Sequence, residues 1–218
     1  MGARNQTWNP DRIHLSVLRN NANEGIQTFE SAQEFRDWLV AGGAGDDAYY
    51  DPTGKKFAGL DFTGARFNES RLFDAEFNGA VLDSVCFKGA DMSWAHLDEA
   101  VSRHADFTKA NLKNLSAEGA NFQHATFLDA DMNEGNFDGA DFRFANLDGV
   151  NLRNATFRGA DLRGANLENA LIEGADFTGA LMDPGALKRV TGHALSTPVS
   201  ARNLLRSRRG LSGTFQPA

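Results

Sequence analysis

The sequence predicts an all-β solenoid, and three observations support this prediction. A large apolar residue (Phe, Leu, Met or Ile) occupies 24 of the 26 positions that follow one another at five-residue steps from Phe57 to Met182. Two positions before these residues, Ala occurs in 19 of the 26 cases. The five-residue period does not slip between these limits. A repeat of this kind decides the architecture, because each unit can bury its apolar side only against its neighbours.

A five-residue period fits neither a helix nor a flat strand. Five residues advance a helix by about 500°, which leaves successive apolar positions roughly 140° apart, so no single helix face collects them. In an extended chain, the Ala and the large residue two positions later point to the same side. The next Ala comes three positions later, so the chain has to turn once per pentapeptide. Gly, Asn and Asp, which tolerate such corners, are frequent between the apolar positions.

The repeat resembles the pentapeptide-repeat family, whose unit reads Ala-(Asp/Asn)-(Leu/Phe)-X-X. Clear matches begin at Ala140, Ala160, Ala165 and Ala175. The resemblance covers residues 57–182 and implies a right-handed quadrilateral β-helix with four pentapeptides per coil. The units then form about 6.5 coils, and a coil spacing of about 4.8 Å gives a rod roughly 31 Å long. Ser102 and Ala117 replace large residues, so their coils are expected to be the weakest.

The segments on either side lack the repeat. Residues 1–56 predict a β-hairpin, with strands over 13–17 and 25–29, followed by a helix from about 32 to 41. We interpret them as a cap over the open edge of the β-helix, and the alternative is a separate partner-binding module. Residues 183–218 predict a short helical stretch near 186–191 and an amphipathic helix over 200–209. Because a C-terminal helix forms a two-fold dimer in several pentapeptide-repeat proteins, Leu204 and Leu205 are candidates for a homodimer interface.

The charge of the chain is distributed unevenly. Residues 57–182 carry 20 acidic and 10 basic side chains, whereas residues 183–218 carry 1 acidic and 6 basic ones. Side chains 20 residues apart are expected to share a face, which places Asp98, Glu118 and Asp138 in one column with Glu99 beside them. Like charges that face each other across strands destabilise a sheet, so this column indicates a use outside the fold, namely partner binding. The alternative is a solvated face that keeps the rod soluble.

A second candidate surface is apolar. Val81, Val101 and Phe144 fall at outward positions of one face, which favours a protein partner. His104 and His124 share a column, but no third ligand is evident nearby, so no metal site is expected. The sequence has a single Cys and no phosphate loop, metalloprotease helix or nucleophile elbow. We therefore expect neither an enzyme nor a cofactor. No apolar run reaches the length of a membrane span and no signal peptide is evident, so a cytoplasmic location without membrane contact is expected.

The resemblance also suggests a function. The best-understood bacterial pentapeptide-repeat proteins are similar to B-form DNA in width and negative charge, and they bind type II topoisomerases and protect them from quinolones or peptide toxins. By this resemblance, the chain is expected to be a DNA mimic that binds DNA gyrase or topoisomerase IV and does not itself bind DNA. It lacks the projecting loop on which some protective members depend. The alternative is a scaffold or regulator that binds a protein partner through one rod face and residues 1–56.

Overall fold

A computed structural model describes residues 57–190 and three short strands that precede them. Strand β1 spans Ile13–Arg19, β2 spans Gly25–Phe29 and β3 spans Ala48–Tyr50. They form an antiparallel sheet of order β2-β1-β3. The hairpin of β1 and β2 confirms the sequence prediction, but β3 was missed because three residues show no readable period. The helices predicted over 32–41 and 200–209, with Leu204 and Leu205, lie outside the described residues and stay predictions.

From Phe57 to Met182 the chain forms a β-helix in which each coil takes 20 residues. Parallel bridges join the residue before each apolar position to the residue 20 positions later, from Asp61↔Val81 to Asp161↔Leu181. From Phe57 to Leu162, the N–H at each of these five-residue positions also donates to the carbonyl 19 positions later, as from Phe122 to Asp141 at 2.7 Å. Residues 20 apart therefore stack in columns, and the four pentapeptides of a coil form four faces.

Phe rings fill the interior of the β-helix. Four rings stack directly above one another, with centroids 5.3, 5.1 and 4.8 Å apart along the column Phe67, Phe87, Phe107 and Phe127. Edge-to-face contacts join neighbouring columns, as between Phe107 and Phe122 at 5.8 Å. All of these rings are fully buried. Burial stabilises the fold by ~1.5–3 kcal/mol for each ring, which explains why a large residue recurs at every fifth position.

The turns explain the Asp, Asn and Gly in the repeat. The side chain before an apolar residue accepts the backbone N–H two positions later, as in the 3.1 Å bond from the Gln123 N–H to Asn121 Oδ1. Two positions after the apolar residue the backbone is left-handed. Gly suits this conformation, but His124 and Phe144 also adopt it, with φ of 58° and 61°.

Two layers depart from the usual packing. Ser102 and Ala117 are buried at positions that large residues otherwise fill, and the Ser102 hydroxyl has no hydrogen-bond partner among the described residues. Leu115 is buried in the slot beside Ala117 that elsewhere holds Ala, so it supplies volume there. Gly135 occupies the same type of slot because a Cβ there would lie 2.5 Å from the Phe137 ring.

The repeat ends in a short 3-10 helix. It spans Ala186–Arg189, within the segment where a helical stretch was predicted. Leu187 and Val190 pack against the core of the β-helix. Within the described part of the chain, no helix has the length and apolar character needed to cross a membrane.

Candidate partner-binding surface

The structure brings the predicted acidic residues together on one face. We call the pentapeptides centred on Phe77, Leu97, Ala117, Phe137 and Phe157 the acidic face. Asp98 and Glu118 are adjacent in its outward column, since the N–H of Glu118 donates to Asp98 Oδ1 at 2.9 Å. Asp138 follows one coil later and accepts the N–H of Arg158 at 2.8 Å.

Two of these carboxylates also have a role within the fold. Asp98 and Asp138 each bind a backbone N–H of the next coil. Asp98 Oδ1 also accepts the hydroxyl of Ser116 at 2.7 Å. The two carboxylates therefore help to join successive coils, and this offsets part of their mutual repulsion. Sequence spacing placed them in one column but did not show which atoms they contact.

Glu99 and Glu118 differ from these aspartates. Both side chains are exposed, and neither makes a hydrogen bond or an ion pair with any residue that the structure describes. Glu118 lies between Asp98 and Asp138 in the column, and Glu99 lies at the corner next to Asp98. The four carboxylates therefore form a continuous negative surface over three coils.

The C-terminal end of the acidic face is neutralised. Arg158 Nε donates to Asp176 Oδ2 at 2.7 Å, and the N–H of Thr178 donates to the other oxygen at 2.9 Å. Hydrogen bonds from Thr178 and Arg158 lower the pKa of Asp176 to about 2. This pairing leaves the negative charge of the face concentrated on the coils that carry Asp98, Glu118 and Asp138.

The neighbouring face neutralises its charge internally. We call the pentapeptides centred on Leu82, Ser102, Phe122, Phe142 and Leu162 the arginine face. Arg103 forms an ion pair with Asp83. Arg143 pairs with Asp141 at 2.7 Å and Arg163 pairs with Asp161 at 2.5 Å.

The pKa shifts on the arginine face agree with this pairing. A hydrogen bond from Arg163 lowers the pKa of Asp161. Burial by itself would raise the pKa of Asp141, but hydrogen bonds from Arg143 and Gln123 outweigh it and the pKa is lowered. The arginines are thus held by carboxylates of their own face, which distinguishes this face from the acidic one.

The predicted apolar patch is divided between two columns of the arginine face. Val81 and Val101 pair in a parallel bridge and are half-buried. Phe144 lies in the corner column instead and stacks on His124 at 5.1 Å. His124 in turn stacks on His104 at 5.0 Å. We call His104, His124 and Phe144 the aromatic ridge. The apolar side chain of this ridge, Phe144, is 59% exposed.

The geometry of the two histidines does not suit a metal ion. Their ring planes are only 7° from parallel, with centroids 5.0 Å apart. Because imidazole lone pairs lie in the ring plane, the two rings in this arrangement do not point at one ion about 2.0–2.1 Å from each nitrogen. No group of three or more potential ligands occurs among the described residues.

The structure also exposes two aromatic side chains that were not among the predicted site residues. Phe73 is 42% exposed and Trp94 is 54% exposed. Trp94 occupies a left-handed corner with φ of 63°. Phe73 directly follows the apolar residue of its pentapeptide, which is the signal in the sequence that would have identified it as outward-facing.

Comparison with solved structures finds other proteins with this repeat. One is HetL, a protein involved in heterocyst differentiation regulation from the cyanobacterium Nostoc sp. strain PCC 7120, with 30% identity and a TM-score of 0.40 over 58% of this chain and 59% of HetL. Another is a thylakoid lumen protein from Arabidopsis thaliana, with 36% identity and a TM-score of 0.36 over 47% of this chain and 68% of that protein. A third is QnrB1, a plasmid-mediated fluoroquinolone resistance protein, with 18% identity and a TM-score of 0.29 over 72% and 85% of the two chains.

The match to HetL is partial, since this chain spans 59% of the HetL length. A comparison with curated protein sequences gave no match. The family described as pentapeptide repeats matches in 8 copies, and the matched segments together run from residue 56 to residue 183. These residues are the same ones that form the β-helix, and they make up more than half of the sequence. The chain therefore belongs to the pentapeptide-repeat family, whose members fold as right-handed β-helices.

Proposed function

We propose that this protein is a non-catalytic binding protein whose acidic face occupies the DNA-binding surface of a type II topoisomerase, DNA gyrase in particular. The observation that carries the proposal is the column of Asp98, Glu118 and Asp138, whose carboxylates repeat at the coil spacing on one face. A surface that binds duplex DNA is adapted to a regular series of negative charges. A rod of about 31 Å spans roughly nine base pairs at 3.4 Å per base pair.

The fixed geometry of the carboxylates supports this function. Asp98 and Asp138 are held by backbone N–H groups at 2.9 and 2.8 Å, so their positions are set before a partner arrives. A preorganised charge loses little conformational freedom on binding. Glu99 and Glu118 have no partner among the described residues and are available to lysine or arginine side chains.

The experiment that tests this proposal is a DNA supercoiling assay with gyrase and the full-length protein, with and without a quinolone, over a series of salt concentrations. We expect inhibition or protection from the drug that weakens steeply as salt rises, because the contacts are electrostatic. No effect on gyrase or on topoisomerase IV at low salt would contradict the proposal.

A second candidate function rests on the aromatic ridge. Phe144 and the His104–His124 stack expose an apolar and aromatic edge beside the paired arginines. Exposed patches of this kind often mark protein contacts. A scaffold or regulator would bind a protein partner through this ridge, and residues 1–56 would add contacts. Binding that persists at high salt and is lost on Phe144→Ala would favour this function over the topoisomerase proposal.

A further inference from the structure

The acidic face contains the single Asn-Gly dipeptide of the sequence, at Asn78 and Gly79. Both residues are exposed. Gly79 has a φ of 64°, and a Cβ built on it would have nothing within 4 Å. An Asn-Gly bond is the easiest place for an asparagine amide to be lost, because glycine does not hinder the approach of its nitrogen to the side-chain carbonyl.

Asn78 occupies the same outward column as the carboxylates of the acidic face, one coil before Asp98. Its Oδ1 accepts the N–H of Asp98 at 3.0 Å. Asp98 Oδ1 accepts the N–H of Glu118 in the same way at 2.9 Å. An aspartate at position 78 would therefore keep the bond to the next coil and add one more negative charge to the column.

The fold engages both reacting groups in hydrogen bonds. The N–H of Gly79 donates to the carbonyl of Asp98 at 2.8 Å, and the N–H of Gly59 donates to the carbonyl of Asn78 at 2.9 Å. Together with the bond from the Asp98 N–H to Asn78 Oδ1, these contacts fix Asn78 to the coils on both sides. Attack by the Gly79 nitrogen requires the loss of its hydrogen bond to the Asp98 carbonyl and the release of the Asn78 side chain from the Asp98 N–H.

We propose that Asn78 is a site of spontaneous deamidation, that opening of the first two coils (residues 57–96) controls the rate of this reaction, and that the aspartate product lengthens the acidic column. The Gly79 nitrogen loses its proton and bonds to Asn78 Cγ, the Cγ–Nδ2 bond breaks, and ammonia leaves. Water then opens the cyclic imide. Cleavage of the bond between Cγ and the Gly79 nitrogen gives aspartate, and cleavage at the main-chain carbonyl gives isoaspartate.

The two products differ in their fit to the β-helix. Aspartate keeps the backbone unchanged and matches Asp98 and Asp138, which already occupy this column. Isoaspartate adds a methylene to the main chain, which shifts every later residue of the coil relative to its bridge partner. The isoaspartate form is therefore incompatible with the spacing between Phe77 and Leu82, the apolar positions before and after residue 78. The chemistry does not depend on the proposed function, although an added charge would alter the affinity for a basic partner.

The proposal is tested by incubating the full-length protein at mildly alkaline pH, both folded and in urea, and following the peptide that contains residues 78 and 79 by mass spectrometry. Deamidation adds about 1 Da, and synthetic peptides identify the aspartate and isoaspartate forms by their elution. We expect at least ~10-fold slower conversion in the folded protein, because the reaction requires local opening.

Gly79→Ala is the matched control. Glu99 occupies the same corner column with a φ of 59°, so the corner accepts a residue other than glycine. In urea, the alanine should suppress the deamidation of Asn78. In buffer, the Gly79→Ala variant should remain folded. Equal rates of deamidation in the folded and unfolded protein would show that coil opening does not limit the reaction. An absence of conversion in the unfolded protein would show that Asn78 is not a deamidation site. If Asn78→Asp lowers the unfolding midpoint more than Asp98→Asn does, the predicted fit of the product is wrong.

Discussion

The stability of this protein depends on single buried side chains that stack at the coil spacing. Phe127 lies between Phe107 at 4.8 Å and Phe122 at 5.3 Å, and it is fully buried. We expect Phe127→Ala to lower the free energy of unfolding by ~3–5 kcal/mol, because it removes the ring and leaves a cavity. Urea unfolding followed by circular dichroism measures this loss. Leu128→Ala, at a half-buried position outside the core, is the control. An unchanged midpoint for Phe127→Ala would show that the ring does not point inward.

The Ser102 hydroxyl is a second point at which one side chain decides stability. It is buried at a core position and has no hydrogen-bond partner among the residues that the structure describes. We expect Ser102→Ala to raise the free energy of unfolding by ~1 kcal/mol, because it removes an uncompensated desolvation cost. Ser93→Ala should have the opposite sign, since the Ser93 hydroxyl donates to Asp91 Oδ1 at 2.6 Å. Unfolding curves of the two variants would disprove this explanation if both were destabilised equally.

The ion pair between Arg158 and Asp176 joins two successive coils of the β-helix. Asp176 has a pKa of about 2 in the folded protein, against 3.8 as its ordinary value, owing to Thr178 and Arg158. A carboxyl whose pKa is lowered by folding contributes stability that is fully present above its unfolded pKa and is lost as pH falls through the folded value. We therefore expect the unfolding midpoint to decline between about pH 4 and pH 2. Asp176→Asn should reduce the slope over this interval, and an unchanged slope would contradict the assignment.

The coil of 20 residues is the repeating unit of the β-helix. Every bridge in the β-helix joins residues 20 apart, and each coil contacts only the coils beside it. We expect deletion of residues 121–140 to leave a folded protein, because Ala120 then joins Asp141 and both the repeat and the columns are kept. Deletion of residues 121–138 breaks the frame and should prevent cooperative unfolding. Thermal unfolding distinguishes the two, and similar curves would show that the columns do not govern folding.

Periodic features could be predicted from the sequence, and contacts that depend on side-chain conformation could not. The inward apolar positions and the β1–β2 hairpin follow from spacing, since a period fixes which residues share a side. The coil of four pentapeptides, and with it the columns of residues 20 apart, was implied by the resemblance to the pentapeptide-repeat family. The third strand, Ala48–Tyr50, is too short to show a period. Spacing placed Asp98 and Asp138 in one column, but the backbone N–H groups that they bind became visible only in the structure. Spacing also places Phe144 one coil after His124 in the same column, and the structure shows the ring contact between them.

At the scale of the whole β-helix, residues 57–182 form an acidic rod with faces of different character. One face carries fixed and unpaired carboxylates, and its neighbour pairs each arginine with a carboxylate of its own. A partner with a basic groove is therefore expected to distinguish one face from another, rather than to respond only to the net charge of −7.

The measurement that tests this most directly is the affinity of gyrase for the triple variant Asp98→Asn, Glu118→Gln and Asp138→Asn. The amide oxygens can still accept the backbone N–H groups, as Asn78 does in the same column, so the fold is kept while three charges are removed. The control variant removes three charges from exposed side chains off the acidic face by Glu69→Gln, Asp129→Asn and Glu134→Gln. We expect at least ~10-fold weaker binding for the first variant and little change for the control. Equal affinities for the two variants would contradict a role for the acidic face.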